Sequence, residues 1–192
     1  MKKLSLIATL LFAALLLQEC KKDTYTSTAS STFALIAVIN DSTWTTDTVN
    51  ASITYSAANK GKVFSIVGTG NNKKIVFSFF QPSAGPTTGF PLQTYNVNDS
   101  TNMNGTENVA AYFTGQKNSL GVYSFTQQGT VYAGSGSVII SAIDSVKKQI
   151  TGTFSFTTKS TNYDSQGNII STNINQIQDG GFNNLPYTFV SN

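Results

Sequence analysis

An unbroken alternation of apolar and polar side chains over residues 150–157 constrains the fold more than any other feature of this sequence. A repeat of two residues is the period of a β-strand that has one face buried and the other in water. The segment 138–143 just upstream is β-branched and apolar, and the polar segment 144–149 separates the two. This order predicts a β-hairpin at the centre of an antiparallel domain. Its predicted buried row consists of Ile150, Gly152, Phe154 and Phe156.

The first strand of this hairpin carries apolar residues of both parities. Ile139 and Ile143 have the opposite parity to Val138 and Ile140, so a regular strand would place the two pairs on opposite faces. Either a β-bulge or a sheet that is covered on both faces explains this pattern.

The rest of the chain favours the same fold class. Thr, Ser and Asn are abundant, only 11% of the residues are charged, and few apolar residues recur at the helical period after residue 20. Extended segments separated by Gly, Pro and Asn turns predict about ten strands. We therefore predict an all-β fold, a single antiparallel β-sandwich of two packed sheets, with a lipocalin-like up-and-down barrel as the alternative.

Three further segments lead to specific expectations. Residues 33–39 are apolar at consecutive positions, which predicts a strand in the middle of a sheet. Pro91 within residues 90–97 argues for an edge strand. The sequence Asp179-Gly180-Gly181 predicts a turn that needs positive φ angles.

The N-terminal residues have the pattern of an exported protein. Met1 and two lysines precede an apolar run over residues 4–17, which has the length of a signal peptide core and is short for a membrane-spanning helix. The run ends at Leu17-Gln18-Glu19-Cys20, which resembles the lipobox of bacterial lipoproteins. That resemblance implies that Cys20 becomes the lipidated N-terminus. Ordinary secretion and an uncleaved anchor are the alternatives.

The predicted organisation therefore has three parts. Residues 1–19 form the signal peptide, residues 20–32 comprise the lipidated Cys20 and a Ser/Thr-rich tether, and residues 33–192 form the β domain. Acyl chains such as palmitate on Cys20 would make the membrane the first partner of this protein. The predicted location is the cell envelope, at the outer membrane, facing either the periplasm or the cell surface.

Three blocks of the β domain resemble a family of small lipoproteins of the Bacteroidota whose function is unknown. The first block is the strand 37–39 and an Asn-type turn followed by Trp44, with Asp41 where the family commonly has Gly. The second is the strand 150–156, which contains an Ile-x-Gly-Thr-Phe pattern, and the third is the Asp-Gly-Gly-Phe block in residues 179–187. The resemblance spans residues 33–188 and implies no particular activity.

The composition argues against several classes of function. The sequence has no His, which removes the most common general base, the usual nucleophile–base pairs and most zinc and copper sites. It has no Arg and no Lys cluster in the β domain, which argues against nucleic-acid binding. Six of the seven Asp residues precede Ser or Thr, a context typical of hydrogen-bonded turns. We therefore expect no catalytic residue, no cofactor and no metal site.

Trp44 and four hydroxyl residues are the candidates for binding and modification. A lone Trp between two strands is either a core residue whose N–H is bonded or an exposed platform that stacks on a sugar ring. Four triplets that begin with Asp-Ser or Asp-Thr resemble the O-glycosylation sequon of exported proteins in the same phylum. Their acceptor residues would be Ser42, Thr48, Ser100 and Ser145.

The predicted function is that of a non-catalytic binding module at the cell surface, accessory to the capture of glycans or nutrients. The alternative is a structural domain that contacts another envelope protein and has no small ligand. A pocket lined by aromatic residues would favour the first, and a large exposed apolar patch would favour the second.

Overall fold

The computed structural model describes residues 35–97 and 107–192. The predictions for the signal peptide, Cys20, the tether, residues 33–34 and Ser100 lie outside the described residues. Twelve β-strands and no helix occur within the described ranges. The strands are β1 (Ile36–Ile39), β2 (Ser42–Thr45), β3 (Thr48–Ser56), β4 (Gly61–Gly70), β5 (Lys73–Pro82), β6 (Thr94–Asn96), β7 (Val109–Lys117), β8 (Tyr123–Gln127), β9 (Thr130–Asp144), β10 (Gln149–Tyr163), β11 (Ile169–Pro186) and β12 (Thr188–Ser191).

These strands form two six-stranded sheets. Sheet A has the order β2-β1-β11-β10-β9-β6, and sheet B has the order β12-β3-β4-β5-β7-β8. Neither sheet closes on itself among the described strands, and the inner faces of both sheets share one apolar core. The predicted β-sandwich is confirmed, and the lipocalin-like barrel is wrong. β6 lies at a sheet edge, as Pro91 predicted, and β12 pairs with β3 in parallel.

The predicted central hairpin is confirmed as β9 and β10. Ile150, Gly152, Phe154 and Phe156 of β10 are buried, and Thr151, Thr153 and Ser155 alternate with them on the outward side. The ring of Phe77 on sheet B lies 4.8 Å from that of Phe154 and 5.8 Å from that of Phe156, between centroids. Edge-to-face contacts of this kind join the apolar row of the hairpin to the middle of sheet B.

A β-bulge in β9 accounts for its apolar residues of both parities. The pairing between β9 and β10 shifts by one residue at Ser141. The shift places both Ile140 and Ile143 on the core face, whereas Ile139 is exposed on the outer face. Of the two explanations that the sequence allows, the bulge is therefore correct.

The prediction that residues 33–39 form a central strand is wrong as regards burial on both faces, although β1 pairs on both sides, with β2 and β11. β1 lies second from the edge of sheet A, and the side chain of Ile36 is 41% exposed. Leu35, Ala37 and Ile39 supply the core face, so an apolar run of this length does not require burial on both faces.

The prediction of a turn at residues 179–181 is also wrong. The segment lies inside β11, where the register shifts against both neighbouring strands. Asp179 has a φ angle of 47°, and neither following glycine has a positive φ. The positive φ expected of a turn therefore belongs to a β-bulge, which keeps the strand continuous.

Two phenylalanines of β10 and β11 pack against two glycines on the opposite strand. Phe154 pairs with Gly180, and Phe182 pairs with Gly152. A Cβ atom on either glycine would collide with the ring opposite, so each glycine leaves the space that a ring fills.

β10 and β11 continue beyond the apolar core. The inward row of β10 is apolar as far as Phe156 and polar from Thr158 onward, where Asn162 Nδ2 donates to Ser171 Oγ across the pair at 3.0 Å. We call residues 149–156 of β10, with their partners on β9 and β11, the near part. Residues 157–163, with their partners, are the far part.

Candidate functional site

A groove of about 610 Å³ lies on the outer face of the far part. Three adjacent strands contribute to it, and alternate residues of β10 share the side of the sheet that faces away from the core. The lining residues are Thr130 and Tyr132 of β9, Thr157, Lys159, Thr161 and Tyr163 of β10, and Ile174 of β11.

The register of the three strands brings these side chains together. Lys159 is directly opposite Thr130 on β9 and Ile174 on β11. Opposed Cβ atoms in an antiparallel sheet are about 4.5–5.5 Å apart, and neighbours on one face of a strand are about 6.7 Å apart. Lys159 is therefore at the centre of the groove, between the hydroxyl groups of Thr157 and Thr161.

Two exposed tyrosines lie at the ends of the groove. Tyr132 is 53% exposed and Tyr163 is 59% exposed. Val131 pairs with Thr158, so Tyr132 lies at about the level of Thr157, and the two tyrosines are separated by about 20 Å along the strand direction. An exposed Tyr ring offers an apolar face for stacking and a hydroxyl for hydrogen bonding.

The groove has one cationic group and several neutral hydroxyls. Lys159 has no acidic partner among the described residues. The ion pair found there joins Lys147 to Asp144, with 3.8 Å between the charged atoms. Threonine and tyrosine hydroxyls both donate and accept hydrogen bonds, whereas the ammonium group only donates. This arrangement suits a polyhydroxylated ligand that presents acceptors to Lys159.

The outer face continues into the near part as a second, smaller pocket of about 310 Å³. Its lining residues are Ser137, Ile139, Thr153, Phe154, Ser155, Asp179 and Gly180. Together the two pockets form a surface rich in hydroxyl groups along the outward row of β10.

The burial of Trp44 decides whether this residue belongs to the core or serves as a platform for a sugar ring. Its side chain is 1% exposed, and its Nε1 donates to the carbonyl oxygen of Gly70 at 2.7 Å. A ring without accessible surface cannot stack on a sugar, so Trp44 is a core residue and a ligand platform at this position is wrong.

The predicted glycosylation acceptors occupy scattered positions. Ser42 in β2, Thr48 at the start of β3 and Ser145 in the turn after β9 are exposed, and none of them lines the groove. Their modification stays a prediction, as does that of Ser100.

Two aspartates have the turn contacts that the sequence predicts. Asp164 accepts from the side chain of Asn168 at 2.9 Å and from its N–H at 2.8 Å, and these bonds lower the pKa of Asp164. Asp144 accepts from the N–H groups of Lys147 at 2.9 Å and Val146 at 3.0 Å, which lower the pKa of Asp144. No group of three or more His, Cys, Asp or Glu able to hold a metal occurs within residues 35–97 and 107–192.

Sequence reasoning missed the groove residues Tyr132, Lys159 and Tyr163. One signal was present, since the alternation of β10 continues past Phe156 with Thr157, Lys159, Thr161 and Tyr163 all on the outward side. The contribution of Tyr132 depends on an irregular register between β9 and β10, which residue patterns do not reveal.

Comparison with known proteins identifies the family of this chain. A family model described as a domain of unknown function, DUF6252, matches residues 31–186. The chain belongs to this family. No curated protein and no solved structure matches the DUF6252 chain. Its described residues contain no helix of the length and hydrophobicity that a membrane crossing requires.

The three sequence blocks of this DUF6252 chain that resemble a lipoprotein family contribute residues to the core of the domain. The second and third blocks meet directly through the Phe154–Gly180 and Gly152–Phe182 pairs. The first block supplies the buried Trp44. These blocks build the core of the sandwich, and none of them forms the groove of the far part.

Proposed function

We propose that this protein is a lipid-anchored lipoprotein of the bacterial cell envelope whose non-catalytic β domain binds glycans in the groove of the far part. The observation that carries the binding proposal is the pair of exposed tyrosines, Tyr132 and Tyr163, on either side of a row of hydroxyl groups and Lys159. Sugar rings have apolar faces and hydroxyl edges, which match exposed aromatic rings and adjacent polar groups.

The position of the groove also supports binding. The groove lies on the outward side of three paired strands, so their ladder hydrogen bonds fix the spacing of its side chains. Its volume is within the range of about 300–1,000 Å³ typical of small-molecule sites. It opens along the sheet and would accommodate a chain of sugars that lies parallel to the strands, from Tyr132 to Tyr163.

The absence of His from the sequence supports a non-catalytic role. Asp144 and Asp164 accept hydrogen bonds within turns, and neither lines the groove. The groove itself therefore contains hydrogen-bonding groups without a nucleophile–base pair.

The anchoring proposal rests on the sequence. The basic N-terminus, the apolar run and Leu17-Gln18-Glu19-Cys20 support a signal peptide of the Bacteroidota lipoprotein type, with Cys20 lipidated and the domain tethered at the outer membrane. Multiple acyl chains hold a protein at a membrane stably, because each buried CH₂ adds about 0.8 kcal/mol. Fatty-acid labelling of the wild type but not of Cys20→Ala would support the anchor, and equal labelling of both would refute it.

The glycan-binding proposal is tested with purified protein on an oligosaccharide array, followed by titration of the ligands that bind. Tyr132→Ala and Tyr163→Ala should each weaken binding about fivefold to tenfold, because stacking on one aromatic ring contributes about 1–1.5 kcal/mol. Tyr123→Ala is the matched control, since Tyr123 is an exposed tyrosine on sheet B. Binding that survives both groove substitutions would refute the assignment of the site.

A second candidate function, contact with another envelope protein, is supported by a different set of exposed residues. Ile169, Ile170 and Ile174, at the start of β11, are more than half exposed, and exposed apolar residues that cluster in this way favour contact with a partner protein. In this case Ile169→Ser and Ile170→Ser would abolish cross-linking to an envelope protein, and the wild type would bind no glycan on the array. Loss of glycan binding in the tyrosine variants would favour the first function.

A further inference from the structure

Lys62 lies in the core-facing row of β4. Its neighbours in that row are Phe64 and Ile66, both fully buried, and its own side chain is only 4% exposed. Lysine is among the residue types that are almost never fully buried unless they are paired. Its position at the end of a core strand therefore calls for an explanation.

The ammonium group of Lys62 has only neutral protein partners. Its Nζ donates to Thr87 Oγ1 and to the carbonyl oxygen of Gly89, the latter at 2.8 Å. No carboxylate pairs with it within the described ranges. An ammonium group has three N–H donors, so one remains for a further acceptor. Burial lowers the pKa of Lys62, as expected for a cation without a counter-ion.

A pocket of about 330 Å³ adjoins this group. Gln81, Ser83 and Thr87 supply polar atoms to its wall. Its apolar wall is formed by Pro82, Phe90 and Pro91. The pocket therefore combines one buried cation with a small apolar surface.

Residues 83–90, the segment that covers Lys62, are held in place by hydrogen bonds and by aromatic packing. Ser83 N–H donates to the carbonyl oxygen of Lys60 at 3.0 Å, and the Tyr187 hydroxyl donates to that of Thr88 at 2.9 Å. Phe90 is buried with its ring centroid 5.5 Å from that of Phe64. The pocket is therefore formed in advance of any ligand, which reduces the entropy lost on binding.

We propose that the pocket at Lys62 binds a small organic monocarboxylate, whose anionic group pairs with the ammonium and whose apolar part contacts Phe90 and Pro91. A single cation without neighbouring cationic groups matches one negative charge, and a charge-assisted hydrogen bond would satisfy the remaining N–H. This site is separate from the groove of the far part, and the proposal does not depend on glycan binding.

The test compares benzoate with benzamide, which has nearly the same size and no charge. Each is titrated into the wild-type protein at constant ionic strength, and the lysine side-chain signals are followed by NMR. Benzoate should shift the Lys62 signal saturably and raise its pKa, because a bound anion favours the charged form. Benzamide should bind at least about tenfold more weakly, since it forms no charge-assisted hydrogen bond.

Two variants complete the test. Lys62→Met keeps an unbranched stem without the charge and should weaken benzoate binding by about tenfold or more. Lys60→Met removes an exposed lysine two residues away and should leave it unchanged. Equal binding of benzoate and benzamide to the wild type, or no saturable benzoate shift, would overturn the proposal even if Lys62→Met failed to fold. Undiminished benzoate binding by a folded Lys62→Met would do the same.

Discussion

The near part and the far part of the β9–β10–β11 ladder have the same antiparallel backbone pairing but carry their large side chains on opposite faces. In the near part, the inward row of β10 carries phenylalanines that contact sheet B, and the outward row carries small hydroxyl residues. In the far part, the inward row is polar, and the outward row carries Lys159 and Tyr163. One alternating strand can therefore stabilise the sandwich along one stretch and, under the proposed function, contact a glycan along the next.

The largest expected effect is on the stability of the near part. Phe156→Ala should lower the free energy of unfolding by about 3–5 kcal/mol, because it leaves a cavity beside Phe77. Thr153→Ala, on the outward row of the same strand, should cost less than about 1 kcal/mol. Urea melts of the two variants measure the difference. Similar losses would show that the faces of β10 are wrongly assigned.

The glycine–phenylalanine pairs of the near part give the next largest effect. Gly152→Ala should lower the free energy of unfolding by about 1–3 kcal/mol, because its Cβ meets the Phe182 ring and the backbone of Ile139. Gly85→Ala is the matched control, since a Cβ there meets nothing within 4 Å. It should be neutral or slightly stabilising. If thermal melts show equal shifts for both variants, the close packing at Gly152 has no energetic role.

A smaller effect on the near part depends on pH. Tyr95 pairs with Val138 of β9. Burial raises the pKa of the Tyr95 hydroxyl to about 12, although a hydrogen bond with Gln93 acts in the opposite direction. Between pH 10.0 and about 12 the unfolded chain loses a proton that the folded chain retains, so stability falls as pH rises through this window.

Tyr95→Phe removes that titrating group. It should lose less stability than the wild type over the same window, and should be about 1 kcal/mol less stable at neutral pH without the hydrogen bond to the Pro91 carbonyl. Denaturant melts across the window measure both effects. Parallel stability curves for the two proteins would contradict the assignment of the alkaline loss to Tyr95.

The smallest effect on stability is expected in the far part. Tyr163→Ala should change the free energy of unfolding by less than about 0.5 kcal/mol, because its side chain is mostly exposed and outside the core. A loss as large as that of Gly152→Ala would show that the Tyr163 side chain contributes to the core. The contrast between the two parts would then be wrong.

The sequence predicts the near part better than the far part, for physical reasons. A buried row must be apolar at every second position, so Phe154 and Phe156 identify their own face. The bulge at Ser141 was one of two explanations, and only the pairing of β9 with β10 decides between them.

The other outcomes depend on backbone and long-range contacts. The bulge at Asp179 has the residues of a turn, because both structures need an unusual φ angle. Trp44 was open to two interpretations because burial comes from the opposite sheet, not from its neighbours in sequence. The groove joins Tyr132 to Tyr163 across a register that no local pattern encodes.

The most direct test of the binding site is an amide chemical-shift map of the protein during titration with an oligosaccharide that binds on the array. We predict saturable shifts concentrated in residues 130–132, 157–163 and 169–176, with little change in the near part or in sheet B. Shifts concentrated on sheet B, or spread evenly over the domain, would contradict the assignment of glycan binding to the far part.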